Sequence, residues 1–369
     1  MPRGTSCRTG WAPVPDFRRI LIVKLTALGD ILHALPAVTY LRGHAPSAEI
    51  HWAVDARFAD LLKGAPGIAR VVPLPIKEWR DRAWSPAAWK GAFGAVTLLR
   101  RERYDVAFDI QGNIKSGVVT CLSGAPVRYG FSRETARERQ NAWFTNRRPE
   151  ASASDRHVTQ KILRVVSAPF GGGFDFPGPE AELAITPAEV SEAGRLLSDT
   201  LPGAAPRLAL HPGTTWSTKR MDPSFWADAV RILRESRPTT GTFLSWGTET
   251  EREDCLAIRD RAGGQVALLP RLRLRELAAV YRACGYVLGP DTGPLHLAAA
   301  AGARTVSVFR ATDGNRNAPT GPGHRFLQAP LPCTACLRKA CDRDAECRAS
   351  LRAADAAAAM GSLMENGRS

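Results

Sequence analysis

No apolar run in the 369-residue chain approaches the ~20 residues that cross a bilayer as a helix, which argues against an integral membrane protein. The stretch from Met1 to Arg19 holds charge and proline but no apolar signal core, so export is not expected. Cysteine is sparse, 8 in all, too few for a disulfide scaffold in a chain this long. A G-x-G-x-x-G turn and a G-x-x-x-x-G-K-[ST] loop are both missing, and with them the usual signatures of dehydrogenases and kinases. No repeat of fixed period is found. Acidic residues fall short of basic ones, 36 against 50, leaving a net charge of +14. A hydrophobic content of 44% is ample for folded cores and excludes a largely disordered chain. At roughly 150 residues per domain, the length predicts two domains. These observations predict a soluble, basic, cytoplasmic protein with an anionic partner.

The positive charge is concentrated in the first half. One group runs from Lys77 through Arg80 and Arg82 to Arg103, with Trp79, Trp84 and Trp89 interleaved. Another runs from Arg128 through Arg133, Arg137 and Arg139 to Arg147 and Arg148. Such a face suits nucleic acid, an anionic membrane surface, or a phosphorylated or carboxylated substrate. A solvated Arg-rich surface without a partner is the plain alternative.

After an irregular arm (residues 1–18), Arg19 to Lys24 reads as a buried strand. Apolar residues at helical spacing follow from Asp30 to Leu41, then strands at Glu49 to Val54, Ala69 to Leu74 and Asp105 to Ile110, with a helix at Ala87 to Arg101. The Gly- and Pro-rich passage Pro169 to Pro179 predicts a linker, after which the alternation restarts. Strands are expected at Arg207–His211, Thr242–Trp246, Val266–Leu269, Gly285–Leu288 and Thr305–Phe309. Helices are expected at Ser224–Arg234, Glu249–Arg261, Leu274–Cys284 and Pro294–Ala301. Two doubly wound, Rossmann-like α/β domains facing across a cleft are therefore predicted, residues 19–180 and 181–330, with a Cys-rich tail at 331–369 that ends in an alanine-rich helix over Leu351–Met360.

Three motifs carry chemistry. The first strand ends in K-L-T-A-L-G-D, placing Asp30 at the mouth of a helix. Asp30 reads either as an N-cap or as a general base facing the cleft, its carboxyl kept ionised by capping. The second domain opens with H-P-G-T-T-W-S-T-K-R, where Gly213 permits close approach, Thr214 and Thr215 offer hydroxyls, and Lys219 offers a compact charge suited to phosphate. A plain loop is the competing reading. The third, G-P-D-T-G-P-L-H-L, stops a strand at Asp291-Thr292-Gly293 and starts a helix at Pro294, whose N-terminus would receive a diphosphate. Asp-Thr-Gly is also the aspartic-protease triplet, but the strand-to-helix setting and the lack of a second copy exclude that reading. His296 is read as a packing or hydrogen-bonding histidine in preference to a catalyst.

These motifs, with D-I-Q-G-N-I-K-S at Asp109 to Ser116, resemble the ADP-heptose–lipopolysaccharide heptosyltransferases of glycosyltransferase family nine, over about Arg19 to Gln328. I-K-E-W-R-D-R-A-W and G-F-S-R-E-T-A-R-E are similar to the subgroup that adds the first heptose to Kdo. The resemblance implies a GT-B fold and inverting transfer from ADP-heptose. It implies Asp30 as the base, Lys219 on the donor diphosphate and leaving group, and Thr214, Thr215 and the backbone at Thr292, Gly293 and Pro294 around the donor. Asp291 would touch the heptose, His296 would belong to the donor-binding set, Glu251 would bond the ribose hydroxyls, and the adenine pocket would lie near Leu272. Lys77, Arg80, Arg82 and Arg137 would meet the acidic Kdo–lipid A acceptor. No metal is implied for catalysis, and a peripheral place on the cytoplasmic face of the inner membrane is expected.

The run C-x2-C-x4-C-x5-C, formed by Cys333, Cys336, Cys341 and Cys347, departs from that subgroup. Four cysteines so close can form a structural metal site; free thiols or packing are the alternatives. The run keeps open a family-nine transferase acting on another acceptor, such as heptosylated core or protein. The rival from another class is a nucleic-acid-binding protein, but no helix-turn-helix, RNP or paired zinc-finger signature supports it, and no nucleic-acid partner is expected.

Overall fold

The computed structural model of the protein describes residues 16–81, 85–177 and 183–366. Five short strands, β1 (Arg19–Val23), β2 (Glu49–Asp55), β3 (Arg70–Leu74), β4 (Val106–Asp109) and β5 (Val127–Gly130), form a parallel sheet in the order β3-β2-β1-β4-β5. Ile20 pairs with Ile50 on one side and Val106 on the other. Ile20 through Val23 are wholly buried, because helices cover both faces, so the strand reads as an unbroken apolar run. The helices that join and flank these strands are α1 (Leu28–Leu32), α2 (Leu35–His44), α3 (Ala59–Leu62), α4 (Ile76–Asp81), α5 (Pro86–Arg101), α6 (Ile114–Leu122) and α7 (Val158–Ser167).

The second sheet comprises β6 (Arg207–Leu210), β7 (Gly241–Leu244), β8 (Val266–Leu268), β9 (Gly285–Pro290), β10 (Arg304–Phe309) and β11 (His324–Gln328). It is again parallel, in the order β11-β10-β9-β6-β7-β8. Its helices are α8 (Pro187–Thr200), α9 (Pro223–Ser236), α10 (Glu249–Ala262), α11 (Leu274–Cys284), α12 (Gly293–Ala300), α13 (Gly314–Asn317), α14 (Asp344–Ala349) and α15 (Ala353–Glu365). In each sheet the winding direction reverses beside the first strand, between β1 and β4 and between β6 and β9. Ligand crevices of doubly wound folds open at such points, beyond the carboxyl ends of the strands.

Three local departures from expectation have physical causes. The single helix expected from Asp30 to Leu41 is two, because Pro36 has no amide to continue the first, and α2 restarts around it. β5 and β11 were not anticipated; both are sheet edges with mostly half-buried or exposed residues, so their apolar signal is weak. The terminal helix, expected at Leu351–Met360, is α15, and it buries Met360, Leu363 and Met364 in the core of the second sheet beside α9.

The two sheets meet where α1 crosses α12. A Cβ on Gly29 would lie 2.9 Å from the His296 ring, and one on Gly293 would lie 3.0 Å from Leu28. Each glycine thus accepts a side chain from the other half, and one apolar cluster runs through both.

Candidate active site

On the first sheet, the switch point gathers charge. Lys24 is buried at the end of β1 and donates to the Ile110 carbonyl at 2.9 Å. Burial lowers its pKa below the usual lysine range, with Asp30 and Asp109 opposing that shift. Asp109 is wholly buried and accepts from the amides of Gln111 and Gly112, from Ser116 Oγ at 2.9 Å and from Asn141 Nδ2 at 2.6 Å. Burial still raises its carboxyl above the usual range. Gln111 Oε1 accepts the amides of Leu25 and Thr26, pinning the loop that leads to Asp30.

Asp30 is not the N-cap of α1. Ala27 holds that position, and Asp30 sits three residues on, its carboxylate accepting the Ala27 amide at 3.4 Å. The cap expectation fails because the chain turns into the helix earlier, at Leu28. The Asp30 carboxylate is 35% exposed and faces the Arg137 guanidinium at 3.7 Å.

On the second sheet, Asp291 ends the β9 segment and is almost fully buried. Its Oδ2 accepts from Lys219 Nζ and Thr312 Oγ1, each at 2.6 Å, and its Oδ1 lies 3.2 Å from His296 Nε2. Burial alone would push this carboxyl up, but His296 and Lys219 outweigh it and hold it well below the usual range. Lys219 Nζ also lies 4.8 Å from the centre of the Trp216 ring.

Around this cluster, Thr214 is half-buried and Thr215 exposed in the loop after β6. Thr292 caps α12, and Gly293 and Pro294 form its first turn. Pro294 has no N–H, so an anion at this helix start would be met by amides of its neighbours. Glu251 Oε2 accepts the amides of Gly247 at 2.7 Å and Thr248 at 3.2 Å, closing the N-terminus of α10. The same carboxylate lies against Gly213. Buried His211 beside it is pushed down to about 4 by burial. Leu272 is half-buried at the carboxyl end of β8.

A model of glycosyltransferase family 9 (heptosyltransferase) matches residues 96–345. Lipopolysaccharide heptosyltransferase 1 of Pseudomonas aeruginosa is 32% identical over 330 residues, spanning 88% of this chain and 87% of that protein. The chain belongs to glycosyltransferase family 9. The E. coli heptosyltransferase WaaC solved with ADP is 26% identical and superposes with a TM-score of 0.71 over 85% of this chain and 93% of that one. WaaC with ADP-2-deoxy-2-fluoro heptose gives a TM-score of 0.69 over 86% and 97%. The protein is thus a glycosyltransferase with the two-sheet GT-B architecture.

The remaining predicted residues of this family 9 enzyme are less gathered. Lys77 is exposed on α4, at the carboxyl end of edge strand β3, two strands from β1. Arg82 and the side chain of Arg80 lie outside the described residues. Among the described residues no group of three or more His, Cys, Asp or Glu is gathered as a metal site, the four tail cysteines included. Cys333, Cys336, Cys341 and Cys347 are free thiols. The backbone after Cys333 is tied instead to the end of β10, Ala335 to the Arg310 carbonyl and Leu337 to that of Ala311, and Cys347 is carried on α14. Sequence reading missed Thr312, Gln111 and Lys24 as site residues. Lys24 and Gln111 lie inside motifs already singled out, whereas Thr312 has no local signal and reaches Asp291 only through the β9–β10 pairing.

Proposed function

We propose that this family 9 glycosyltransferase moves heptose from ADP-heptose to Kdo on the acidic lipid A acceptor, with inversion in a single displacement. The observation that supports this reading is the docking of α1, which carries Asp30, on α12, whose N-terminus follows Asp291 and its partner Lys219: Gly29 meets the His296 ring and Gly293 meets Leu28. Asp30 takes the proton from the acceptor hydroxyl as its oxygen attacks the anomeric carbon. The bond from that carbon to the diphosphate oxygen breaks, and ADP departs with the electron pair. Lys219 and the amides of Thr292 and Gly293 stabilise the charge that develops there. Thr214 and Thr215 line the diphosphate, Asp291 and His296 stand by the heptose, Glu251 accepts from the ribose through its remaining carboxylate oxygen, and Leu272 lies under the adenine.

Residues 19–180 make the acceptor half, with Arg137, Lys77, Arg80 and Arg82 meeting carboxylate and phosphate, and 181–330 the donor half. Among the described residues no helix is long and apolar enough to cross a membrane. The basic first half would hold the enzyme on the anionic cytoplasmic face of the inner membrane through surface charge. No step calls for a metal. The names of the relatives and the bound ADP and ADP-sugar analogue of WaaC support this reading. Incubation with ADP-heptose and either Kdo–lipid A or a heptosylated core, read by mass, tests it. Addition of one heptose to Kdo–lipid A is expected; addition to the core alone reassigns the acceptor, and addition to neither rejects the reading.

A further inference from the structure

The cysteine-rich segment lies on the donor loop, and its placement carries a consequence for charge. Ser217 Oγ donates to the Lys339 carbonyl at 2.9 Å, and buried Thr218 donates from Oγ1 to the Arg338 carbonyl at 2.6 Å. On the other side, the Leu337 amide donates to the Ala311 carbonyl at 2.9 Å. Arg310, buried to 1% exposure, donates to the Arg220 carbonyl and to both the carbonyl and the carboxylate of Asp344. The backbone at 337–339 is therefore held between the loop of Lys219 and the end of β10. The Lys339 side chain is exposed, with its ammonium 5.4 Å from the centre of the Trp216 ring. Lys219 reaches the same ring.

The two lysines differ in electrostatic state. Lys219 faces the Asp291 carboxylate at 2.6 Å, so much of its charge is offset within the protein. Lys339 has no ion-pair partner among the described residues. A sugar nucleotide's diphosphate carries two negative charges, and the departing ADP carries more. A cation without a carboxylate of its own would add to what Lys219 supplies there.

We propose that Lys339 is a second donor-binding cation, brought to the diphosphate by the segment that straps the Lys219 loop. This rests on the reading of residues 211–219 as the diphosphate loop. Its chemistry is that of a mobile ammonium against a phosphate oxygen, with Trp216 as its resting place. The strap itself supplies fixed backbone, so the cysteine-rich tail becomes part of the donor site without any metal.

The test is calorimetric titration of ADP into the full chain and into Lys339→Met and Lys339→Arg. Methionine keeps most of the aliphatic stem and removes the charge; arginine keeps the charge. Lys339→Met is expected to bind ADP about fivefold to tenfold more weakly, the scale of one partly exposed charged hydrogen bond. Lys339→Arg is expected to bind as the unaltered protein does. Unchanged ADP affinity in Lys339→Met overturns the proposal, and so does equal weakening in both variants, which would mark a steric role in the strap. Failure of the unaltered protein to bind ADP at all overturns the donor-loop reading instead.

Discussion

At the scale of single residues, two carboxylates of the same chemistry stand in opposite surroundings. Asp30 is partly exposed and faces one loosely held arginine at 3.7 Å, an arrangement that leaves a lone pair available to a hydroxyl. Asp291 is buried and saturated by Lys219, Thr312 and His296, an arrangement that holds it ionised and fixed. In the mechanism proposed above, these surroundings suit Asp30 to accept the proton and Asp291 to serve as a positioning anion. Asp30→Asn is expected to lower kcat by about 10²- to 10⁴-fold, the range for losing a general base, while ADP affinity stays within about twofold. A turnover number equal to that of the unaltered enzyme would remove Asp30 from the mechanism. Thr312→Val deletes one of the two 2.6 Å bonds to Asp291 Oδ2 and leaves a buried acceptor short of a donor. The expected cost is about 1–3 kcal/mol of stability, measured by urea unfolding with the midpoint shifted and the slope preserved.

At the scale of elements, α1 and α12 are short helices whose value lies in how closely they approach. Leu28 occupies the space above Gly293, and His296 the space above Gly29. Gly29→Ala would place a methyl group 2.9 Å from the His296 ring, and His296 cannot retreat without losing Asp291 at 3.2 Å. Overpacking of this kind costs typically 1–3 kcal/mol in a well-packed core. Here it would part the helix of Asp30 from the helix of the donor site. The expected result is a kcat lowered about tenfold, a factor worth about 1.4 kcal/mol, with ADP affinity changed by no more than about twofold, since Lys219 and Thr312 still hold Asp291 through Oδ2. Comparison of kcat with the ADP dissociation constant checks it, and parallel loss of both would reject the closure argument. Such contacts also mark where sequence stops being legible. Buried strands such as β1 and β6 announce themselves as apolar runs, and the turns after them place Asp30 and Lys219 beside strand ends by chain connectivity alone. Arg137 reaches Asp30, and Thr312 reaches Asp291, only after the sheets have aligned distant segments. The half-buried edge β5 and the partly exposed edge β11 lack the full burial that would have revealed them. The strap on the donor loop uses backbone carbonyls of Arg338 and Lys339, which no side-chain pattern encodes.

At the scale of the molecule, the junction between the halves is rich in imidazole. The His33 ring lies 4.5 Å from that of His296 and 5.4 Å from that of His157, and His33 Nε2 is buried without a hydrogen-bond partner. His157 accepts the Thr159 amide at Nδ1 and so donates from Nε2 to the Ala318 carbonyl at 3.0 Å. Burial pushes His157 down to about 4, with Ala318 opposing and His296 adding to the fall. Burial likewise pushes His211 and His324 down to about 4, and burial with the neighbouring His296 and His157 holds His33 well below its usual value. His157, His211 and His324 are therefore mostly neutral in the folded protein at pH 5, whereas in the unfolded chain, with a pKa near 6.5, they are protonated. The unfolded state binds more protons over this window, so stability rises with pH there and is lost as pH falls from about 6.5 toward 4. Each pKa unit of depression corresponds to about 1.4 kcal/mol, and several histidines act together. Thermal unfolding from pH 7.5 to 4.5 should show a melting temperature nearly flat above pH 7 and falling steeply below pH 6. His157→Gln, which keeps a hydrogen-bonding amide but cannot take the proton, should flatten the acid limb without raising the neutral plateau. A melting temperature constant from pH 7 to 4.5, or an acid limb of equal slope in the variant, would mean that the buried imidazoles do not govern the junction.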